Sequence, residues 1–467
     1  MLDVVFLHAE SRKRTYGNLG KDLSCIETPI WSLMLAGRVQ KEGYEVAIVD
    51  MAADDLTVEQ AANRINSLEP KLTVAVVYAH QPSASTHNMS VAMEVLKLVD
   101  GKKAMVGGHP SALPDQSAEE SGAMVFCGEG IDRILGYLGN WNAGEKFTLV
   151  DPDFTFNVLP WDLLPMQNYR AYNWLSWGFH SRQPYAAFYS SLGCPYACEF
   201  CAVQSPFYAG QSAMSMKANS YRRWSPKWVG DQLEHLVKTY GVKHVRIADE
   251  MFVLNEAHVS GICDEIIQRG LDLNIYVYAR ADTCGNQKLL EKMRKAGFGW
   301  VCVGFESSSE KVRKSVGKKY SDDTAKQCAA NLKEAGINLL ANHIVGLRGE
   351  TLEDMEATLQ EAMEMLPEFW NVYAATPYPG SPLYARAVKE GWPLPKRWED
   401  YSQHSKNFVP HGTETMSPAE VVSFRDEAWQ KFMRNPNYLS KMERQFGIAV
   451  KNEILEMANV KLERSHD

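Results

Sequence analysis

The chain has 467 residues, 45% of them hydrophobic and 23% charged, with a formal net charge of −8 at pH 7. These are the values of an ordinary globular protein long enough for two or three domains. The acidic balance argues against a partner held by phosphate electrostatics, so no nucleic acid is expected. No apolar run approaches the ~20 residues of a membrane span. The start, Met1-Leu2-Asp3-Val4-Val5-Phe6-Leu7, lacks a basic lead and reads as a first strand, not a signal peptide. Six scattered cysteines (Cys25, Cys127, Cys263, Cys284, Cys302, Cys328) show no paired spacing. They read as reduced core thiols, and the expected location is cytoplasmic.

Residues 1–140 alternate strand and helix patterns joined by short links. Strands are predicted at Asp3–His8, Glu45–Asp50, Leu72–Tyr78, Lys103–Val106 and Ala123–Phe126. Amphipathic runs lie between them at Pro29–Glu42, Thr57–Leu68, His87–Val99 and Ile131–Leu138. This is α/β grammar and predicts a doubly wound, five-stranded parallel sheet, with ligands beyond the carboxyl ends of the strands. Residues 141–184 form a linker whose Pro152, Pro160 and Pro165 oppose long regular elements. Its Trp161, Trp174 and Trp177 are expected to pack across the domain junction. Residues 185–384 return to βα alternation. Strands are predicted at Tyr185–Ser190, His244–Ala248, Leu273–Ala279, Trp300–Phe305, Asn338–Ile344 and Glu368–Ala375. Six such units make a partial (β/α)6 barrel with its chemistry at the carboxyl ends. Residues 385–467 read as a mainly helical C-terminal region.

Three cysteines stand in Ser191-Leu192-Gly193-Cys194-Pro195-Tyr196-Ala197-Cys198-Glu199-Phe200-Cys201, directly after the first barrel strand. The spacing is C-x3-C-x2-C. Three thiolates on one tight loop can hold three irons of a four-iron cluster, whose complete set would be four. The missing ligand leaves one iron open to a small molecule. A structural zinc site is the competing reading, but it wants four closed ligands, and no second CxxC exists. The run resembles the signature of the radical S-adenosylmethionine (SAM) superfamily, and the resemblance extends in order over Tyr185–Tyr384. It implies a 4Fe–4S cluster on Cys194, Cys198 and Cys201, with SAM chelating the open iron.

The same resemblance assigns further contacts. Asp249 and Glu250, after the second barrel strand, would meet the SAM amino group; an acidic pair favoured at a helix start is the alternative. Arg280, ending the third, would pair with the SAM carboxylate, or else bridge to Asp282. Glu306 and Ser307, in Gly304-Phe305-Glu306-Ser307, resemble the ribose-contacting segment. Gly346, in Gly346-Leu347-Arg348-Gly349-Glu350-Thr351, opens a turn resembling the one beside the adenine, or is simply a tight turn.

A doubly wound domain ahead of such a barrel resembles the cobalamin-dependent radical SAM class, over Asp3 to about Tyr384. Gly107 and Gly108 match the glycine pair that lets the nucleotide tail of cobalamin pass, and Gly128-Glu129-Gly130 also resembles the class. Two departures stand out. No D-x-H-x-x-G motif follows the first strand. After the third, Tyr78-Ala79-His80 replaces the S-x-L element, with Ser83, Ser85 and Thr86 close behind as hydroxyl sources. His80, His87 and His109 are expected on loops, where a lone histidine more often faces solvent.

The resemblance implies that one SAM methylates the corrinoid. A second yields a 5′-deoxyadenosyl radical that takes hydrogen from a small-molecule substrate, which then receives the methyl group. Relatives of this architecture cyclise, rearrange or dehydrate instead, so an enzyme with a non-methylating or vestigial cobalamin domain is the alternative. Methylthiolation would need three N-terminal cysteines, and only Cys25 and Cys127 precede the linker. A cobalamin sensor would leave the cysteine loop unused. Flavodoxin or ferredoxin is the implied electron donor.

Overall fold

The computed structural model describes residues 2–16, 24–79, 84–139, 158–205 and 221–465. The first sheet comprises β1 (Val4–His8), β2 (Val46–Asp50), β3 (Leu72–Val77), β4 (Lys103–Gly107) and β5 (Met124–Phe126). All pairings are parallel, in the order β2-β1-β3-β4-β5. β1 and β3 are apolar on both faces because helices cover both. Val4, Phe6, Val74 and Val76 pack with the helix Ile30–Lys41, while Val5, Leu7, Ala75 and Val77 pack with Val58–Ser67 and Ser85–Leu98. The order reverses between β1 and β3, which opens a crevice at their carboxyl ends.

The second sheet contains β6 (Tyr185–Phe188), β9 (His244–Ile247), β10 (Asn274–Arg280), β11 (Phe298–Glu306), β12 (Asn338–Val345) and β13 (Phe369–Ala374). It has six parallel strands in chain order, with β6 and β13 as edges. This is the expected partial barrel, and every predicted strand of both sheets lies within two residues of the observed one. A short antiparallel ladder between β7 (Ser191–Leu192) and β8 (Arg222–Arg223) was not expected. Two paired residues carry no periodicity to read.

The edge of β6 is not left bare. Thr28, from the first domain, donates its hydroxyl to the Ala187 carbonyl at 2.6 Å and accepts from the Ala187 N–H at 3.0 Å. Glu27 beside it reaches Arg246 on β9, with Nη1 to Oε1 at 2.5 Å, and also accepts from the Tyr185 hydroxyl at 3.0 Å. Arg246 is fully buried. A guanidinium in that position is tolerable only with a charged partner.

Of the linker, residues 158–184 are described. Trp161, Trp174 and Trp177 are all buried. Trp174 lies 5.1 Å from Trp300 and 4.9 Å from Tyr276, ring to ring, and 6.0 Å from Phe369. Phe369 begins β13 and Trp300 is the third residue of β11, so this aromatic cluster plugs the amino-terminal end of the barrel. The C-terminal region is helical as expected. Its helix Pro418–Met433 packs on β13, with Phe432 4.9 Å from Trp370.

Thr28→Val keeps the shape but strips the Ala187 N–H and carbonyl of their partner. Two buried backbone groups left unpaired are expected to cost about 2–4 kcal/mol. A urea titration of both proteins, followed by tryptophan fluorescence, measures this; an unchanged midpoint would show that the β6 edge finds another partner.

Candidate active site

The cysteine loop is held from beneath by one carboxylate. Asp249, just past β9, is fully buried. Its Oδ1 accepts the N–H groups of Ser190 (2.6 Å) and Ser191 (3.0 Å), and its Oδ2 accepts both serine hydroxyls at 2.6 Å. The chain leaving β6 is thereby fixed before it turns at Gly193, where φ is +82°. The next carboxylate, Glu250, accepts the Gly193 N–H at 3.1 Å. Further along, the Gln204 side chain donates to the Cys194 carbonyl and, at 3.2 Å, to that of Tyr196. Gly317, with φ +86°, passes under the loop, where a side chain would meet the Ala197 carbonyl. Ser205 ends the described part of the loop and donates to the Gly108 carbonyl of the first domain at 2.7 Å.

None of the three thiols is in a disulfide. Burial pushes Cys194 up to about 12 and raises Cys198 and Cys201. Lys318 and Arg280 oppose the shift at Cys198. Among the described residues no three His, Cys, Asp or Glu side chains lie close enough to share one metal ion.

The residues expected around SAM divide into two kinds. Asp249 is fully engaged by the serines; it holds the loop and has no acceptor to spare, and neither it nor Glu250 starts a helix. Glu250 keeps a buried Oε1 that faces the Tyr78 hydroxyl without a well-formed hydrogen bond. Burial raises its carboxyl to about 8, with Asp249 adding to the shift. Arg280 forms the fork to Asp282, at 2.9 and 3.0 Å, yet also lies over the Tyr196 ring at 3.9 Å and points Nη1 at the Cys198 sulfur, 4.0 Å away.

Glu306 has φ +66° at a bulge in β11. The bulge folds its side chain back over Gly304, where a Cβ would lie 2.7 Å from the Glu306 Oε1. There Glu306 forms a buried ion pair with Lys318, which also donates to the Gly304 carbonyl at 2.8 Å. Ser307 donates to Glu350 at 2.9 Å. Gly346 (φ +75°) turns against the C-terminal helix; a Cβ there would sit 2.6 Å from Val421.

The first sheet brings the other candidates to its carboxyl edge. Gly107 has φ +133°, and a Cβ would lie 2.1 Å from the Val77 carbonyl oxygen; a Cβ on Gly108 would lie 3.5 Å from the Ser85 hydroxyl and 3.7 Å from the Tyr78 ring. Ser85 accepts the Ala79 N–H at 3.0 Å, so a hydroxyl does stand behind the altered element. Gly128 donates to Ser111 at 3.0 Å, and Gly130 leaves no room for a Cβ beside Val106. Glu129 pairs with Arg222 of β8. His80 and Ser83 lie outside the described residues.

The histidine expectation fails for His87 and His109, which sit in helices and are buried. His109 Nδ1 meets the Thr86 hydroxyl at 3.2 Å, its ring edge meets Trp398, and its Nε2 has no partner. Burial lowers it to about 3 and His87 to about 4. The hydroxyl of Tyr78 is buried opposite Glu250, likewise short of a well-formed hydrogen bond. Burial pushes it well above its usual range, with Glu250 and Cys201 adding their charge. The edge of the first sheet and the cysteine loop therefore share one wall. A cavity of about 1130 Å³ runs from this edge, at Glu10, Tyr78 and His87, into the barrel lumen at Tyr278, Asn342 and Asn371.

The model of the radical SAM superfamily matches residues 188–362, and that of the B12 binding domain matches residues 22–136. The chain carries a radical SAM domain and a B12-binding domain. As a radical SAM enzyme with a B12-binding domain, its cofactors are a 4Fe–4S cluster, SAM and cobalamin. An uncharacterized methyltransferase of Pyrococcus horikoshii is 26% identical over 413 residues, covering 84% of this chain and 83% of the relative. The anaerobic magnesium-protoporphyrin IX monomethyl ester cyclase of Rubrivivax gelatinosus is 26% identical over 465 residues, covering 93% and 78%. Among solved structures, the radical SAM methyltransferase TsrM from Kitasatospora setae superposes with a TM-score of 0.65 at 14% identity, covering 98% of this chain and 99% of that one. That likeness shows the fold.

Several working residues of this radical SAM protein escaped the sequence. Lys318, Gln204 and Ser205 sit in loops with no motif. Arg246 was findable: a cation amid the apolar residues of β9 is a buried charge that needs a partner.

Glu350 is nearly fully buried and accepts from Ser307 and from the Leu347 N–H, at 3.0 Å. Burial raises its carboxyl from 4.5 to about 7. A raised acid stabilises the fold fully below its unfolded pKa and loses that contribution as pH rises through the folded value. Glu350→Gln cannot ionise, so its stability relative to the parent is expected to improve between pH 4 and 8, by about 3 kcal/mol. Thermal melts across that range test this; parallel curves would refute it.

Proposed function

We propose that this protein is a cobalamin-dependent C-methyltransferase acting on an unactivated carbon of a small molecule. One observation carries the reading. A single cavity joins the carboxyl edge of the first sheet, at Glu10, Tyr78 and His87, to the barrel lumen at Tyr278, Asn342 and Asn371, so corrinoid and substrate can share one chamber. The methyltransferase named among the relatives supports it. When bound, the reduced cluster with SAM supplies a 5′-deoxyadenosyl radical and the corrinoid supplies a methyl group.

The chain's own residues do the rest. Cys194, Cys198 and Cys201 would hold three irons as thiolates, releasing their protons on metal binding. Asp249 fixes the loop so that the thiols keep their spacing. Glu250, with one oxygen short of a well-formed hydrogen bond, would meet the SAM amino group. Arg280 keeps a guanidinium edge beside Cys198 for a carboxylate, although Asp282 competes for it. The bulge at Glu306 and the Ser307–Glu350 pair would line the ribose. Gly107, Gly108, Gly128 and Gly130 would border the nucleotide tail, with Tyr78, His109 and Glu129 around it. Trp174 below and the helix Pro418–Met433 at the side exclude water.

An oxidative cyclisation, dehydration or epimerisation is the second reading, supported by the likeness to the Rubrivivax cyclase. Both readings place the enzyme in the cytoplasm with flavodoxin or ferredoxin as electron donor. No helix among the described residues is long and apolar enough to cross a membrane.

Protein purified anaerobically and reconstituted is expected to carry about four irons and one corrinoid per chain. Cys198→Ala is expected to lose 5′-deoxyadenosine formation while keeping its thermal melt. Undiminished 5′-deoxyadenosine from that variant would refute the cluster assignment. Full iron with no corrinoid retained after added hydroxocobalamin would favour the second reading.

A further inference from the structure

The cavity wall formed by the helix Pro418–Met433 has two guanidiniums sharing one carboxylate. Arg464 grips Asp426 through Nε at 2.9 Å and Nη2 at 3.0 Å, and gives its other donors to the carbonyls of Ser405 (2.8 Å) and Gln403 (2.9 Å). It is satisfied. Arg425 donates Nη1 to the same Asp426 at 2.7 Å and Nε to the Val372 carbonyl of β13 at 3.0 Å. Its Nη2 has no hydrogen-bond partner among the described residues, although Arg425 is only 6% exposed and lines the cavity.

Two cations facing one carboxylate leave a positive charge uncompensated in a buried wall, which is costly unless a partner arrives. Burial holds Arg425 below its usual range, and Arg464 pushes the same way. The acidic groups on the same helix have their own partners: Glu420 accepts from the N–H and hydroxyl of the N-cap Ser417, both at 2.7 Å, and Glu427 accepts from Ser423 at 3.1 Å. His404, which also lines the cavity, is kept neutral by burial and by both arginines.

We infer that Arg425 is an oxyanion-binding residue of the cavity, taking a carboxylate or phosphate group on its free guanidinium edge. The inference rests on the reading of this cavity as the chamber for substrate and corrinoid. The two bonds already made fix the guanidinium plane beside Asn371 and Tyr373, whose side chains line the same space. A planar fork held in this way matches an oxyanion and loses little freedom on binding it. Water can occupy the edge but cannot neutralise the charge. The oxyanion has two possible carriers, the substrate and the phosphodiester of the corrinoid tail.

Phenylglyoxal labelling of the cluster-loaded full chain, read by peptide mass spectrometry, separates the outcomes without any variant. Arg425, with two hydrogen bonds, is expected to react faster than Arg464, with four. Titrated inorganic phosphate is expected to slow its labelling about fivefold or more, as mass action requires once phosphate exceeds its dissociation constant several times. Protection by phosphate with hydroxocobalamin already bound assigns the site to the substrate. Protection by hydroxocobalamin but not by cobinamide, which lacks the phosphodiester, assigns it to the corrinoid tail. An unreactive Arg425, or one that neither phosphate nor hydroxocobalamin protects, overturns the inference. 5′-Deoxyadenosine formation is measured on the same preparation. Its presence beside an unprotected Arg425 refutes the oxyanion site alone, and its absence beside a protected one refutes the radical chemistry alone.

Discussion

The carboxylate of Asp249 carries the rest of the site. It takes hydrogen bonds from the backbone and side chains of two consecutive serines, and so ties the end of β6 to the end of β9. A loop entering from a strand end has little to fix its direction; four charge-assisted bonds on one buried anion supply it. The turn at Gly193, the spacing of the three thiols and the seam at Ser205 all follow from that starting point. The two acidic neighbours thus divide their labour: Asp249 is spent inside the protein, while Glu250 keeps an oxygen for something else.

The same division recurs along the carboxyl ends of the barrel. Glu306 and Lys318 neutralise each other, Arg280 is half committed to Asp282, and Ser307 is committed to Glu350. Each charged group is anchored by a neighbour before any ligand is considered. Anchoring removes rotamer freedom in advance, which is what a site needs if its contacts are to be made in one geometry.

The strands and long helices were legible because their residues repeat with the period of the element. The β1 and β3 runs are continuously apolar, and the helix Pro226–Tyr240 opens on Ser225 and proline and closes on Gly241, which carries φ +67°. The cysteine loop was legible from spacing alone. The remainder was hidden because it depends on tertiary approach. Nothing local in Asp249-Glu250 distinguishes the anchor from the less committed carboxylate. Nothing in the sequence around Lys318 brings it to Glu306. His109 reads as a loop residue until the helix that begins at Gly108 and the ring of Trp398 enclose it. The bulge that aims Glu306 requires a register shift, which periodicity cannot report.

Glu27 and Thr28 belong to the first domain in sequence and to the barrel in space. Thr28 bonds the backbone of an edge strand, and Glu27 neutralises a cation inside the lumen. The two domains are therefore not beads on a linker. A barrel expressed without its leading domain would present an unpaired β6 edge, which is a template for intermolecular strand pairing, and would bury the Arg246 charge alone. Its failure would take the form of aggregation during folding, so a truncation series on this chain would chart solubility before it charted function.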